Sequence, residues 1–188
     1  TIAMSGFRTE LAGPDGYCYD PEGIATKEKW DYMVTMRNSG RNKAQDYADK
    51  FGVQFFPGLK PWGQKADICM PCAYQNEIGM KEAELANGTK YYIEVANMPT
   101  TNEALFFLMG KGLVVGPSKA VNAGGVSVSG LEMSQNSERL TWRPEEVDSM
   151  LRNIMINIHA ASAKAAAESG LGYNLVAGAN IAGFKKVA

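Results

Sequence analysis

Short apolar runs alternate with longer amphipathic segments along this chain. The runs have the length and the β-branched and aromatic content that are typical of β-strands. They lie at residues 1–4, 53–56, 66–70, 91–95 and 113–115. Between them, apolar positions recur at intervals of three and four residues, which predicts helices. This alternation predicts an α/β fold in which a doubly wound, mostly parallel sheet carries helices on both faces.

The first two predicted helices follow residue 26. Thr26 is a candidate N-cap of the first helix, and Gly40 ends it. Its predicted buried face consists of Trp30, Met33, Val34 and Arg37. The second helix ends at Gly52. Its predicted buried face consists of Ala44, Tyr47, Ala48 and Phe51. Both helices are expected to cover the sheet.

Two later helices carry local start signals. Thr100 and Glu103 form a Thr-x-x-Glu capping box. Pro144 occupies the predicted first position of the longest helix, which Gly170 ends. The apolar stripe of this helix consists of Val147, Leu151, Ile154, Ile158 and Ala161.

A candidate ligand-binding turn follows the run at residues 113–115. Gly124 and Gly125 are expected to bring the backbone close to a ligand. A helix is then expected to begin near Val126 or Ser127 and to point free backbone N–H groups at that ligand.

Composition excludes several classes of function. The 188 residues include 19 Lys and Arg against 20 Asp and Glu, so no net charge attracts the chain to nucleic acid or to an acidic membrane surface. No apolar run reaches the roughly 18 residues of a membrane helix, and the first residues lack the order of a signal peptide. Three cysteines predict a reducing, cytoplasmic environment without a disulfide framework. With one histidine and no paired spacing, they predict no metal site.

The Cys69-Met70-Pro71-Cys72 segment is a rival candidate site, because Cys-x-x-Cys is the pattern of thioredoxin-like redox centres. Cys69 lies inside the predicted strand at 66–70, so its thiol is expected to face the core. Thioredoxin chemistry needs the first thiol exposed at a helix N-terminus. We therefore favour a packing role for Cys69.

The first residues look like a dinucleotide-binding turn that is cut short. A predicted strand at 1–5 leads into Gly6 and Phe7, the possible start of a phosphate-binding fingerprint. Asp15, the candidate ribose ligand, lies only nine positions after Gly6. A parallel crossover needs about a dozen residues. Either the residues after Phe7 form a loop and this is no fingerprint, or a segment on the order of twenty residues is missing before Arg8.

Several blocks of the sequence closely resemble the hexameric glutamate dehydrogenases. They are residues 13–17, 71–73, 75–76, 94–104, 117–140 and 176–184, in the same order as in that family. The chain from residue 13 onward is therefore similar to the Rossmann-like nucleotide-binding domain of the clostridial-type, NAD-dependent members. The resemblance favours the missing segment between Phe7 and Arg8. It implies that residues 1–188 are an incomplete NAD-binding domain.

The resemblance also implies residue roles. It assigns cofactor contacts to Gly6, Phe7, Pro14, Asp15, Ala73, Gln75 and Asn97. It assigns substrate contacts to Asn97, Val126 and Ser129, with the serine hydroxyl facing the distal carboxylate. An aspartate at the adenosine ribose favours NAD over NADP, because a 2′-phosphate there would meet like charge. Tyr74 departs from the threonine that is usual in the family.

The implied reaction is the NAD-dependent oxidative deamination of L-glutamate to 2-oxoglutarate and ammonia. In the family, the catalytic lysine and aspartate belong to a substrate domain absent from this sequence, so we expect no catalytic residue and no turnover in the chain alone. The full-length protein is expected to be a homo-hexamer. Lys119 is the one candidate cation near Ser129 in this segment. The alternatives are a leucine or phenylalanine dehydrogenase, a Cys-x-x-Cys thiol-redox protein, or a non-catalytic binding module.

Overall fold

The chain divides into two units in the computed structural model, which describes residues 2–5, 8–24, 26–41, 43–86 and 88–188. The first unit comprises residues 1–92 and 99–113. The second comprises residues 93–98 and 114–188. Gly6 and Phe7, two of the expected cofactor contacts, lie outside the described residues.

The first unit contains a sheet in the strand order β4-β3-β2-β1-β5-β6. The strands are β1 (Ile2–Ser5), β2 (Arg8–Gly13), β3 (Gly16–Asp20), β4 (Gln54–Pro57), β5 (Ile68–Met70) and β6 (Tyr91–Ile93). Four of the five predicted strands correspond to β1, β4, β5 and β6. Strands β2 and β3 were not predicted, because residues 8 to 10 are polar and Gly16–Asp20 begins and ends with residue types that are typical of turns.

The α/β class is confirmed, but this sheet is mixed rather than mostly parallel. Strands β5 and β6 are parallel, whereas β1 is antiparallel to both β2 and β5. The β2–β3 and β3–β4 pairs are antiparallel as well. The physical reason is chain length: Ser5 pairs with Arg8, and a parallel crossover would need about a dozen residues between them. The chain reverses direction here instead.

The described residues of the first unit also form four helices and one short 3-10 turn. They are α1 (Lys27–Asn38), α2 (Ala44–Phe51), the turn at Pro61–Gly63, α3 (Met80–Ala86) and α4 (Asn102–Gly110). The Thr26 cap is confirmed, since its side chain accepts a hydrogen bond from the Lys29 N–H at 3.2 Å. The end of α2 is also confirmed, because Gly52 adopts a left-handed conformation with φ of 65°.

The predicted cap of α4 was wrong by one residue. Thr101 is the N-cap, and its hydroxyl accepts from the Ala104 N–H at 3.4 Å. The Thr100 hydroxyl instead shares a 2.8 Å hydrogen bond with the buried Tyr92 hydroxyl. The Thr100 side chain is therefore bonded to Tyr92 of β6 instead of capping α4.

The predicted buried face of α1 was wrong in part: Met33 packs against a core cluster of the first unit, but the other three predicted residues are exposed. Trp30 is 60% exposed and Val34 is 47% exposed, whereas Lys29 and Met36 are buried. Met36 packs with Tyr47 in a core cluster of the first unit. The helix is rotated relative to the prediction because Lys29 forms a buried ion pair.

This ion pair joins Lys29 to Asp20 at the end of β3. The lysine Nζ lies 2.8 Å from Asp20 Oδ2 and also donates to the Gly23 carbonyl at 3.1 Å. The Tyr47 hydroxyl donates to Asp20 Oδ2 at 2.8 Å, and the Glu22 N–H donates to Oδ1 at 3.0 Å. Burial opposes ionisation of Asp20, but these hydrogen bonds outweigh it and hold the pKa of the carboxyl below its usual value. Burial and the carboxylate together raise the pKa of Tyr47.

The second unit is mainly helical. It contains β7 (Val114–Gly116), α5 (Ser118–Val121), α6 (Ala123–Glu138), α7 (Pro144–Glu168) and α8 (Leu175–Phe184). Pro144 is the first residue of α7, and Gly170 follows its end with φ of 72°, as predicted. Helix α8 packs closely on α7, since a Cβ at Gly178 would overlap the Ser162 carbonyl. None of the helices in the described residues has the length and apolar character needed to cross a bilayer.

Candidate functional site

The described candidate residues fall into two sets, one in each unit. Pro14, Asp15, Ala73 and Gln75 belong to the first unit. Asn97, Val126 and Ser129 belong to the second. In both units the candidate residues lie in turns and loops beyond strands or on an exposed helix face.

Pro14 and Asp15 form the tight turn between β2 and β3. Gly13 pairs with Gly16 across this turn, so only these two residues lie outside the ladder. The Asp15 carbonyl accepts from the Gly58 N–H at 2.8 Å. This hydrogen bond fixes the turn at the end of the β2–β3 pair, and Pro14 is exposed.

The Asp15 carboxylate caps helix α2. Its Oδ1 accepts from the Ala44 N–H at 3.0 Å, and its Oδ2 accepts from the Gln45 N–H at 3.1 Å. Lys43, the residue preceding the helix, makes no capping bond with its side chain. An ionised carboxylate has about four acceptor positions, so two remain for the hydroxyls of a ribose.

Two glycines make this arrangement possible. A Cβ at Gly13 would lie 2.7 Å from Asp15 Oδ1 and 3.0 Å from the Ala44 nitrogen. Gly16 has φ of 145°, and a Cβ there would overlap the Phe56 carbonyl. The Gly-Pro-Asp-Gly sequence is thus required for the turn itself as well as for the position of the carboxylate.

The loop after β5 carries the next two candidate residues. The Ala73 N–H donates to the buried Glu77 carboxylate at 3.3 Å. The side chains of Ala73 and Gln75 are exposed, as is Tyr74. The Glu77 carboxylate therefore anchors the backbone of the loop, and the exposed side chains can contact a ligand.

The Cys-x-x-Cys segment has the arrangement that the sequence predicted. Cys69 lies in β5 and is buried, at 3% exposure. The Cys72 thiol is half-buried and donates to the Met70 carbonyl at 3.3 Å. Neither sulfur occupies a helix N-terminus, which disfavours thioredoxin-like chemistry.

In the second unit, Asn97 lies in the segment that follows β6. Its side chain is exposed, and Met98 beside it has a positive φ of 48°. Glu94, three residues earlier, is 3% exposed and accepts a hydrogen bond from the Ser118 N–H at 3.0 Å. Sequence reasoning missed this contact. The available signal was a single acidic residue within an otherwise apolar run.

Val126 and Ser129 lie on one exposed face of α6. They are three residues apart and therefore neighbours on the helix surface. Val126 is 71% exposed, and the Ser129 hydroxyl makes only a long 3.4 Å bond to the Gly125 carbonyl. The hydroxyl can exchange that weak bond for one to a ligand.

The expected glycine turn before these residues was wrong. Helix α6 begins at Ala123, so Gly124 and Gly125 lie in its first turn rather than in a loop. Neither glycine has a positive φ. The short helix α5 ends at Val121, and Asn122, its C-cap, is also the N-cap of α6. The helix therefore begins three residues earlier than the pattern predicted.

Lys119 contacts helix α8 in the second unit. Its Nζ donates to Asn180 Oδ1. It also lines a groove of about 290 Å³ together with Ile158 of α7 and Ala182 of α8. Among the residues that the structure describes, no cluster of three His, Cys, Asp or Glu side chains could hold a metal ion.

Comparisons with known proteins identify the family to which the chain is similar. The family model of the Glutamate/Leucine/Phenylalanine/Valine dehydrogenases matches residues 9–188. The NAD-specific glutamate dehydrogenase of Clostridium symbiosum is 71% identical over 181 residues, covering 95% of this chain and 40% of that protein. A solved structure of a glutamate dehydrogenase superposes with a TM-score of 0.91 at 70% identity, over 95% of this chain and 40% of that one.

A third similarity bears on the length of the chain. The NAD-specific glutamate dehydrogenase of Porphyromonas gingivalis (strain ATCC 33277) is 46% identical over 208 residues, covering 100% of this chain and 46% of that protein. That alignment is longer than the 188 residues it covers here. The chain spans less than half the length of the curated relatives it matches.

Proposed function

This chain belongs to the Glutamate/Leucine/Phenylalanine/Valine dehydrogenase family, and on that premise we propose that it is the nucleotide-binding domain of an NAD-dependent glutamate dehydrogenase. The reaction is the oxidative deamination of L-glutamate to 2-oxoglutarate and ammonia. The observation that carries the proposal is the 71% identity to a relative named as an NAD-specific glutamate dehydrogenase.

Asp15 is the residue that selects the cofactor in this proposal. Its two remaining acceptor positions receive ribose hydroxyls, each hydrogen bond contributing roughly 1.5 to 3 kcal/mol because the acceptor is charged. A 2′-phosphate would meet repulsion of about 4 kcal/mol per unit charge at 4 Å and an effective dielectric constant of 20. The start of α2 offsets about 0.3 to 1 kcal/mol of this repulsion. Repulsion is the larger effect, so NAD is preferred.

The exposed loop residues hold the other end of the cofactor. Ala73 and Gln75 would contact the nicotinamide ribose, and Asn97 would contact the nicotinamide and the substrate. NAD, when bound, supplies the hydride acceptor. Two facts support the fit: the side chains of all three residues are exposed, and the loop backbone is anchored by the bond from Ala73 to Glu77.

Val126 and Ser129 distinguish glutamate from apolar amino acids. Val126 packs on the methylene groups of the substrate, and the Ser129 hydroxyl donates to the distal carboxylate. One such bond is worth roughly 1.5 to 3 kcal/mol, which is too little to bury a negative charge. A cation must come from elsewhere, and we assign it to the substrate domain.

We extend the proposal to the whole protein. Its catalytic lysine and aspartate belong to a substrate domain outside residues 1–188, so this chain alone does not turn over glutamate. The complete enzyme is a cytoplasmic homo-hexamer. A segment of about twenty residues is missing between Phe7 and Arg8, in keeping with the spacing of dinucleotide-binding units. The 208-residue alignment with a relative supports this length difference.

A leucine or phenylalanine dehydrogenase is the alternative that the family allows. Such an enzyme would bind an apolar side chain where Ser129 lies. The intact enzyme, including the substrate domain, should be assayed with L-glutamate, L-leucine and L-phenylalanine, using NAD and NADP in turn. We expect glutamate with NAD to give the highest kcat/KM. A preference for leucine or phenylalanine would reject the proposal, and so would turnover of glutamate by residues 1–188 alone.

A further inference from the structure

We propose that Glu94 is a positioning residue that couples the two site-bearing segments of the second unit. These segments are the Asn97 loop and the α5–α6 region, which carries Val126 and Ser129. The inference rests on the proposed glutamate dehydrogenase function and deepens it.

Glu94 is joined to the backbone on both sides of Pro117. Its N–H donates to the Gly116 carbonyl at 3.0 Å, and its Oε2 accepts from the Ser118 N–H at 3.0 Å. The residue is 3% exposed, so water does not compete for these bonds. One residue, through its backbone and its side chain, therefore fixes the distance between the exit of β6 and the exit of β7.

The carboxylate also replaces a missing helix cap. Pro117 precedes α5 and has no side-chain acceptor, so the first N–H of that helix needs a partner from elsewhere. Glu94 supplies it from 24 residues away. Because α6 begins immediately after Asn122, the orientation of Ser118 is transmitted directly to the start of the substrate-binding helix.

The same residue constrains Asn97. Only Val95 and Ala96 separate the two, and both are half-buried. If the hydrogen bond between the Glu94 carboxylate and the Ser118 N–H is lost, the distance between Asn97 and Ser129 is no longer fixed. Contacts to the nicotinamide and to glutamate should then weaken together, whereas contacts of Asp15 in the first unit should not.

A pair of substitutions at residue 118 separates the effect of the backbone hydrogen bond to Glu94 from that of the serine side chain. Ser118→Pro removes the N–H donor, and Ser118→Ala keeps it. Proline fits at the first position of a helix, and Pro117 already has the extended conformation, φ −72° and ψ 144°, that a residue before proline adopts. The intact enzyme should be purified with each change, and its KM for glutamate and its kcat should be measured.

We expect Ser118→Pro to raise the KM for glutamate by about tenfold or more, the effect of losing one hydrogen bond to a charged group. Ser118→Ala should leave it within about twofold. Glu94→Ala should match Ser118→Pro, and Glu94→Gln should recover most of the affinity because its amide oxygen still accepts from Ser118. The double variant Glu94→Ala with Ser118→Pro should be no worse than either single variant, since both remove the same bond.

Two further measurements separate positioning from stability. Binding of ADP-ribose, which probes only the Asp15 end, should be unchanged in Glu94→Ala. Asp20→Asn is the matched control, because it alters a buried carboxylate of the first unit and should lower Tm without changing KM well below Tm. Equal KM values for Ser118→Pro and Ser118→Ala, or a lower Tm alone in Glu94→Ala, would overturn the inference. An unsubstituted intact enzyme that does not oxidise glutamate would instead reject the proposed function on which it rests.

Discussion

The carboxylate of Asp15 accepts a hydrogen bond from the backbone N–H of Ala44, 29 residues further along the chain. This bond connects the β2–β3 turn to the start of α2, and the carboxylate retains further acceptor positions. A residue proposed to bind the cofactor is therefore also part of the structural framework. Substitutions at Asp15 will change stability as well as affinity.

Asp15→Ser should produce two separable effects. The free energy of unfolding should fall by about 0.5 to 2 kcal/mol, as for other lost helix caps. In the intact enzyme, the preference for NAD over NADP should also decrease, because the repulsion of a 2′-phosphate is removed. Urea unfolding and cofactor titration measure these effects.

Asp49→Ser is the control for Asp15→Ser. Asp49 is exposed on the same helix, and its substitution makes the same change in charge. It should leave the cofactor preference unchanged. An Asp15→Ser enzyme that keeps its full preference for NAD would contradict the proposed contact with the ribose.

Asp20→Asn should be strongly destabilising. The change removes the buried countercharge of the Lys29 ammonium and leaves only the exposed Glu22 carboxylate near it, and breaking a buried ion pair on one side costs about 3 to 5 kcal/mol. Glu22→Gln is the control, because the Glu22 side chain is 85% exposed and lies 3.6 Å from the same ammonium. Its effect should be within about 1 kcal/mol. Similar losses for both variants would show that burial of the pair is not decisive.

The lowered pKa of the Asp20 carboxyl predicts that the stability of the fold depends on pH. Its pKa is lowered in the folded state, so its contribution is present above the unfolded pKa of about 3.9 and is lost as pH falls through the folded pKa. The difference in unfolding free energy between the original protein and Asp20→Asn should therefore shrink from pH 5 towards pH 2. Urea unfolding at each pH gives this difference. A gap that stayed constant with pH would mean that ionisation of Asp20 does not stabilise the fold.

Gly178→Ala should disrupt the packing of α8 on α7. The new Cβ would overlap the Ser162 carbonyl and lie 3.0 Å from the Ala166 Cβ, and overpacking of this kind costs typically about 1 to 3 kcal/mol. Gly183→Ala in the same helix meets no atom within 4 Å and should stabilise by about 0.5 to 1 kcal/mol. Thermal unfolding of the two variants tests this contrast. The idea fails if both shift Tm in the same direction.

Ser129→Ala should weaken binding of glutamate without affecting the fold. Loss of one hydroxyl bond to a carboxylate should raise the KM of the intact enzyme about tenfold to a hundredfold. Ser134→Ala is the matched control, since the Ser134 hydroxyl donates to the Gly130 carbonyl in the same way that Ser129 donates to Gly125. Steady-state kinetics at saturating NAD measure both. An unchanged KM for Ser129→Ala would remove this residue from the substrate site.

Local signals predicted the helix ends well and the long-range pairings poorly. Gly52 and Pro144 mark helix ends in the structure as they do in the sequence. The expected loop at Gly124 and Gly125 instead became helix, because neither glycine needs a positive φ there. Thr100 lost its predicted capping role to a hydroxyl partner on β6.

The sequence by itself determined the α/β class and most helix boundaries, because each depends on neighbours within a few positions. It also determined the family resemblance, because several motifs occur in the order of that family. Only the tertiary structure decided how β1 pairs, which face of α1 is buried and which backbone groups the carboxylates of Asp15 and Glu94 hold. The hydrogen bonds of the two carboxylates join residues 24 to 30 positions apart, and the pairing of β1 depends on the short connection at which the chain reverses direction. Burial makes these hydrogen bonds important for stability. A polar group that is removed from water loses its hydrogen bonds to water and must form replacements within the protein.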